Sequence, residues 1–215
     1  MFRDRQHAGE LLAAHLSGYY GRRDTLLLAL PRGGVPVAAV LARRLGHPLD
    51  VFPVHKLGAP GQPEFAIGAI AEDVVVFHHD AIARLHIPQS AIDATIARER
   101  EELLRREHAY RDARPPLILA GQTVVLVDDG LATGYTMLAA IRAVRLHRPV
   151  WIVVAVPVAP SDTLDRLRSE VDDIFCVHTP PDMGAVGQFY DDFTQITDDQ
   201  VREALREFAT GPAAQ

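Results

Sequence analysis

The sequence predicts a doubly wound α/β fold: a five-stranded parallel sheet carrying a small hood subdomain. Three observations lead there. Five short apolar runs, 25–30, 49–54, 123–128, 150–158 and 172–177, are continuous rather than alternating, as expected of strands buried on both faces. Helical patterns at 35–45, 133–147 and 161–169 fall between them, and strand–helix alternation builds a parallel sheet with right-handed crossovers and helices on both faces. The chain has 215 residues, 48% of them apolar, which suits one domain with a sizeable core.

Taken in order, "MFRDRQHAGELLAAHL" at 1–16 reads as an amphipathic helix rather than a leader, because charges interrupt every candidate apolar core. The first strand runs into "LPRGGVPVA", 30–38, which opens a helix. After the second strand the rhythm breaks: residues 55–122 are far longer than a crossover needs. This insert starts with a Gly/Pro-rich loop, "HKLGAPGQPEF". Two strand-like pieces follow, "AIGAIAE" and "VVVF", which suit a hairpin. A charged helix over 88–110 comes next, and Pro115-Pro116 ends it. Its arginines and glutamates suit a solvated face laced with ion pairs. His78 and His79 are strand neighbours that face opposite ways, so they do not make a metal pair. The last break is "PPDMGAVGQFYDDF", 180–193. The domain boundaries that follow are one domain over 1–215, with core at 20–56 and 118–178, insert at 57–117 and hood at 179–195.

Composition excludes some function classes. A formal charge of −6 disfavours binding nucleic acid through bulk charge. Cys176 is alone, so neither a disulfide framework nor a thiolate metal site is expected, and the reading is cytoplasmic. The longest charge-free apolar run, Val150 to Pro160, is too short to span a bilayer.

The chemistry concentrates in "VVLVDDGLATGYTM", 124–137. A buried strand ends in two adjacent carboxylates, Asp128 and Asp129, which repel each other and call for a cationic or hydroxyl-rich neighbour. The segment Gly130 to Thr136 then opens a helix, whose N-terminal amides and partial positive charge suit a phosphate. Gly130 and Gly134 permit close backbone approach, and Thr133 and Thr136 add hydroxyls. No Lys follows Gly134, so this is not a Walker loop, and G-x-G-x-x-G is absent. The aspartates suit a sugar diol and can hold Mg²⁺ through water; they could equally cap the helix. In "PRGG", Gly33 and Gly34 expose amides and Arg32 offers a fork suited to phosphate, although an ordinary strand–helix turn would look alike. In a 2-1-3-4-5 strand order the two loops face each other across the switch point. In the hood, Val186, Phe189 and Tyr190 could pack on a planar ring.

These residues resemble the ribose-phosphate signature of the type I phosphoribosyltransferases, which bind 5-phosphoribosyl 1-pyrophosphate (PRPP). The whole chain is similar to a bacterial subgroup with "KLGAPG" and "FYDDF" segments and no settled acceptor. The resemblance implies a Mg²⁺-dependent transferase of nucleotide metabolism that displaces pyrophosphate with a nitrogenous base, with a homodimer as one possible assembly. It implies that Asp128 and Asp129 hold the ribose, that Gly130, Leu131, Ala132, Thr133, Gly134 and Thr136 wrap the 5′-phosphate, and that Arg32, Gly33, Gly34 and Lys56 bind pyrophosphate. Asp129 is the candidate metal residue, through water and PRPP. It further implies a non-proline cis peptide at Arg32-Gly33. The Gly/Pro content and scant apolar anchorage of 57–66 predict a mobile flap that closes over PRPP. Hypoxanthine-guanine enzymes carry an aspartate where this chain has Ala132, which disfavours a 6-oxopurine. Tyr135 stands where a small residue is expected. The rival reading is a PRPP-binding regulator that does not transfer.

Overall fold

The computed structural model describes residues 1–111 and 114–208. In chain order it contains α1 (Arg5–His15), β1 (Thr25–Ala29), α2 (Gly34–Leu45), β2 (Leu49–Val51), β3 (His55–Ala59), β4 (Gln62–Ala71), β5 (Val74–Phe77), α3 (His79–Arg84), α4 (Gln89–Arg111), β6 (Thr123–Val127), α5 (Tyr135–Leu146), β7 (Trp151–Val158), α6 (Ser161–Leu167), β8 (Asp173–His178) and α7 (Asp198–Glu207). Five strands form one sheet in the order β2-β1-β6-β7-β8, and every pairing in it is parallel. This is the expected 2-1-3-4-5 order. A second, antiparallel sheet has the order β3-β4-β5.

The continuous apolar runs are explained by burial on both faces. Along β6, Val124 and Leu126 pack with Met137, Ile141 and Val144 of α5. Val125 and Val127 face the other way, onto Val37 and Leu41 of α2, Leu12 of α1 and Val201 of α7. Alternate residues of one strand therefore belong to two cores, and each face needs an apolar side chain.

The structure corrects three expectations. The stretch 55–65 is not a loop: β3 and β4 pair across it, and the chain turns at Pro60-Gly61. The register shifts at Leu57/Gly58 and Gly58/Ala59, so a glycine that suggested a loop marks a bulge instead. The second core strand stops at Val51 rather than 54; Phe52 makes one more bond, to Ala29 O, and Pro53 has no N–H to continue. His78 and His79 are not strand neighbours, since β5 ends at Phe77 and α3 begins at His79.

Helix α7 was unanticipated, although its start is written in the sequence. Thr197 Oγ1 accepts from the Gln200 amide at 3.2 Å and Gln200 Oε1 accepts from the Thr197 amide at 2.8 Å. That is a capping box, with Val201 and Leu205 as the buried i, i+4 pair. The charged helix α4 carries the expected ion pairs, including Glu102 with Arg105 and Arg106. No helix of the described residues is long and apolar enough to cross a membrane.

Candidate active site

Strands β1 and β6 are neighbours, so the loops that leave their C-terminal ends lie side by side. The Leu30 amide donates to Val127 O at 2.8 Å, which ties them together. Close approach is then obligatory. A Cβ at Gly33 would lie 2.0 Å from Asp129 Oδ2, and one at Gly34 would lie 2.5 Å from Val127 O. The two glycines thus let the first loop rest directly on the acidic pair. The non-proline cis peptide of this loop is Pro31-Arg32, one bond before the expected Arg32-Gly33.

In the second loop, Asp129 N donates to Asp128 Oδ1 and Leu131 N to Val158 O. Among the described residues, the amides of Ala132, Thr133, Gly134, Tyr135 and Thr136 meet no protein acceptor. Their carbonyls face the other way: Thr163 Oγ1 donates to Ala132 O at 2.9 Å, and Arg166 donates to Thr133 O at 3.0 Å. Gly134 has φ +74°, a left-handed conformation that turns the chain into α5. A run of unpaired amides at a helix N-terminus is an anion site. In a crystal grown with sulfate or phosphate, the anion is expected on the amides of Ala132 to Thr136; an empty loop at high anion concentration would refute the assignment.

The loop's other members have different duties. Leu131 is buried in the α5-side core and its amide is already bonded. The Gly34 and Val35 amides donate to Leu30 O and Arg32 O, which leaves the Arg32 and Gly33 amides at the first loop. Tyr135 stacks on His78, with ring centroids 4.7 Å apart, and the Arg166 guanidinium lies 5.9 Å from its ring. The unexpected tyrosine therefore joins the 130–136 loop to the end of the β3-β4-β5 sheet.

The counter-charge of the acidic pair comes from a residue that sequence reasoning missed. Arg5 Nε lies 2.7 Å from Asp129 Oδ2, and both residues are buried. The same guanidinium donates to Thr194 O at 2.8 Å and stands 4.0 Å from the centre of the Phe193 ring. Burial and then the neighbouring Asp129 charge push the Asp128 carboxyl well above the carboxylate range. Burial raises Asp129 as well, and the Arg5 guanidinium opposes it.

The hood contributes from below. Tyr190 is buried, its ring lies 5.2 Å from Phe2 and 5.1 Å from Phe193, and its hydroxyl donates to Asp129 O at 2.6 Å. It offers no free ring face, which corrects its assignment to an acceptor platform. Val186 touches the loop, since a Cβ at Gly130 would fall 2.6 Å from Val186 Cγ1. Phe189 packs on His178, centroids 5.5 Å apart.

The two expected pyrophosphate cations point elsewhere. Arg32 Nη1 is 3.5 Å from Asp198 Oδ1, and Tyr110 Oη donates to the same carboxylate at 2.6 Å. That bond, above all, keeps the Asp198 carboxyl below the usual range. Lys56 Nζ pairs with Glu64 Oε2 at 3.1 Å, across its own hairpin.

The model of the phosphoribosyl transferase domain family matches residues 4–194. Two Mycobacterium tuberculosis proteins, both named as candidate phosphoribosyl transferases, are 43% identical over 218 residues, covering 99% of this chain and 49% of each relative. The chain thus spans about half the length of those relatives. The crystal structure of TT1426 from Thermus thermophilus is 45% identical, with a TM-score of 0.78, covering 97% of this chain and 99% of that one. A shorter likeness, 41% over 71 residues, links 33% of the chain to 39% of the bifunctional protein PyrR of Chloroflexus aurantiacus.

Proposed function

The chain belongs to the phosphoribosyl transferase domain family, and from that premise we propose that it moves the phosphoribosyl group of PRPP onto a nitrogenous base with Mg²⁺. The observation that carries this reading is the row of unpaired amides from Ala132 to Thr136 beside an acidic pair, Asp128 half-buried and Asp129 buried. One ligand with a phosphate at one end and a diol next to it satisfies both features.

In the reaction, the acceptor nitrogen's lone pair forms a bond to ribose C1 while the C1–O bond to pyrophosphate breaks. That electron pair leaves with pyrophosphate, and the nitrogen's proton passes to solvent or to the leaving group. The chain's work is positioning and electrostatics. The 132–136 amides hold the 5′-phosphate. Asp128 and Asp129 face the diol and favour the positive charge that develops on the ribose. Arg32 exchanges Asp198 for the pyrophosphate, and Lys56 exchanges Glu64. Both swaps trade a partly exposed ion pair for a more highly charged partner.

Among the described residues no three His, Cys, Asp or Glu side chains converge on a metal site. The acidic pair still suits Mg²⁺, which retains several waters and binds through few carboxylates together with substrate phosphates. Asp129 keeps Oδ1 for this, because Arg5 takes Oδ2. Held there, Mg²⁺ would supply positive charge to offset that of the departing pyrophosphate. For the acceptor we assign Val186 and Phe189 to the hood's contact surface, with Ala132 arguing against a 6-oxopurine.

A regulator that binds PRPP without transferring it is the second reading. It is favoured by one observation: Arg32 and Asp129 are each held in an ion pair by the protein itself. The deciding measurement is pyrophosphate release from PRPP and Mg²⁺ across purines, pyrimidines and simple amines. Release with at least one acceptor is the expected result; tight PRPP binding with no release from any acceptor would leave the regulator. Hydrogen exchange in the same titration should show protection of 57–66 as the β3-β4 hairpin closes over PRPP, and unchanged exchange there would remove the closing flap.

A further inference from the structure

We propose that Arg5 is a positioning residue of the active site, latching residues 2–5 and the hood as one unit onto Asp129 so that this carboxylate is fixed for the ribose. The proposal rests on the PRPP reading given above.

The geometry is specific. Residues 2–4 run alongside the hood: Phe2 N donates to Phe189 O, Asp191 N to Phe2 O and Asp192 N to Arg3 O, each at 2.8 Å. Phe2 is buried and bridges to Tyr190 in parallel. The first turn of α1 then delivers Arg5, with Asp4 capping the helix through the His7 amide at 2.7 Å. Among the described residues the guanidinium meets Asp129 Oδ2, Thr194 O and the rings of Phe193 and Tyr190. Thr194, Phe193 and Tyr190 belong to the hood, and Asp129 is the candidate catalytic carboxylate.

Asp129 is gripped a second time. Tyr190 Oη donates to its carbonyl, while Arg5 holds its side chain. The oxygen that Arg5 meets, Oδ2, also rests against the bare backbone of Gly33, where a Cβ would overlap it. A surface ion pair would not need such confinement. A planar fork held by an aromatic face and a carbonyl is preorganised, so little order has to be gained when ligand arrives. Asp129 Oδ2 is thereby committed to the protein, while among the described residues no donor is bonded to Oδ1. Residues that orient a ligating carboxylate are worth far more than their own contact energy suggests.

The test uses the full chain with PRPP and Mg²⁺. Arg5→Met should weaken PRPP binding by about 10- to 100-fold, the range seen when the partner that orients a ligating group is lost. Arg5→Lys should recover only part of it, because an ammonium cannot reach Asp129 and Thr194 O as a fork. In an Asp129→Asn background Arg5→Met should cost little more, because its effect runs through that carboxylate. Additive losses would mean that Arg5 only supports the fold, and would overturn the proposal. So would Arg5→Met binding PRPP like the unaltered chain. Hydrogen exchange without ligand gives a separate reading: amides of 186–193 should lose protection together with Leu131 in Arg5→Met. Unchanged protection there refutes the latch whatever PRPP does. If the unaltered chain fails to bind PRPP, the ligand reading fails, and the alignment role falls with it.

Discussion

Phosphoribosyl transfer is expected to fall by about 10²-fold or more when Asp128 and Asp129 are both replaced by Asn, in keeping with the loss of preorganised electrostatic groups, while PRPP affinity falls less. The substitution keeps size and shape and removes both ionisable carboxyls. A charge that matters most when C1 becomes positive acts in the transition state, so its loss appears in kcat before it appears in binding. The structure adds a control. Asp129 is the partner of a buried arginine, and removing one member of such a pair costs about 3–5 kcal/mol of stability. Asp128 has no arginine at hydrogen-bond distance among the described residues. Asp128→Asn alone should therefore slow transfer with little change in melting temperature, whereas Asp129→Asn should lower both. Paired calorimetry, melting and pyrophosphate release on the three variants separate these effects. Full transfer by the double variant would sink the assignment of the pair to catalysis.

Gly33→Ala is expected to lower PRPP affinity by about 10²-fold or more. The added methyl carbon would sit 2.0 Å from Asp129 Oδ2 and 2.6 Å from its Cγ, which no pair of non-bonded atoms tolerates. Either the first loop lifts or Asp129 turns away from Arg5. Breaking that buried ion pair carries a cost of about 3–5 kcal/mol, and 1.4 kcal/mol corresponds to a factor of about ten. The same change displaces the Gly33 amide, one of the two left unpaired in that loop. Gly18→Ala is the matched control, because nothing lies within 4 Å of the position its methyl would take. PRPP titration and melting of both variants give the answer. Wild-type affinity in Gly33→Ala would show that the loops do not meet as described.

The sequence by itself determined the parallel core and the two loops that leave its first and third strands. Each of these is a local fact repeated along the chain. Both-face burial forces unbroken apolar runs such as 123–127, and a helix start needs small and hydroxyl residues within a few positions of the strand end. The capping box at Thr197–Gln200 was equally local and could have revealed α7. Glycine and proline misled at 55–65, because they serve a bulge and a turn in a hairpin as readily as they serve a loop. Tertiary structure alone decided what the carboxylates touch. Arg5 and Asp129 are 124 residues apart, and Tyr190 reaches Asp129 across 61. No spacing rule links such residues. They meet because a buried charge must find a counter-charge wherever the fold brings one within reach, and here it came from the first turn of a helix that reads in the sequence as a plain amphipathic segment.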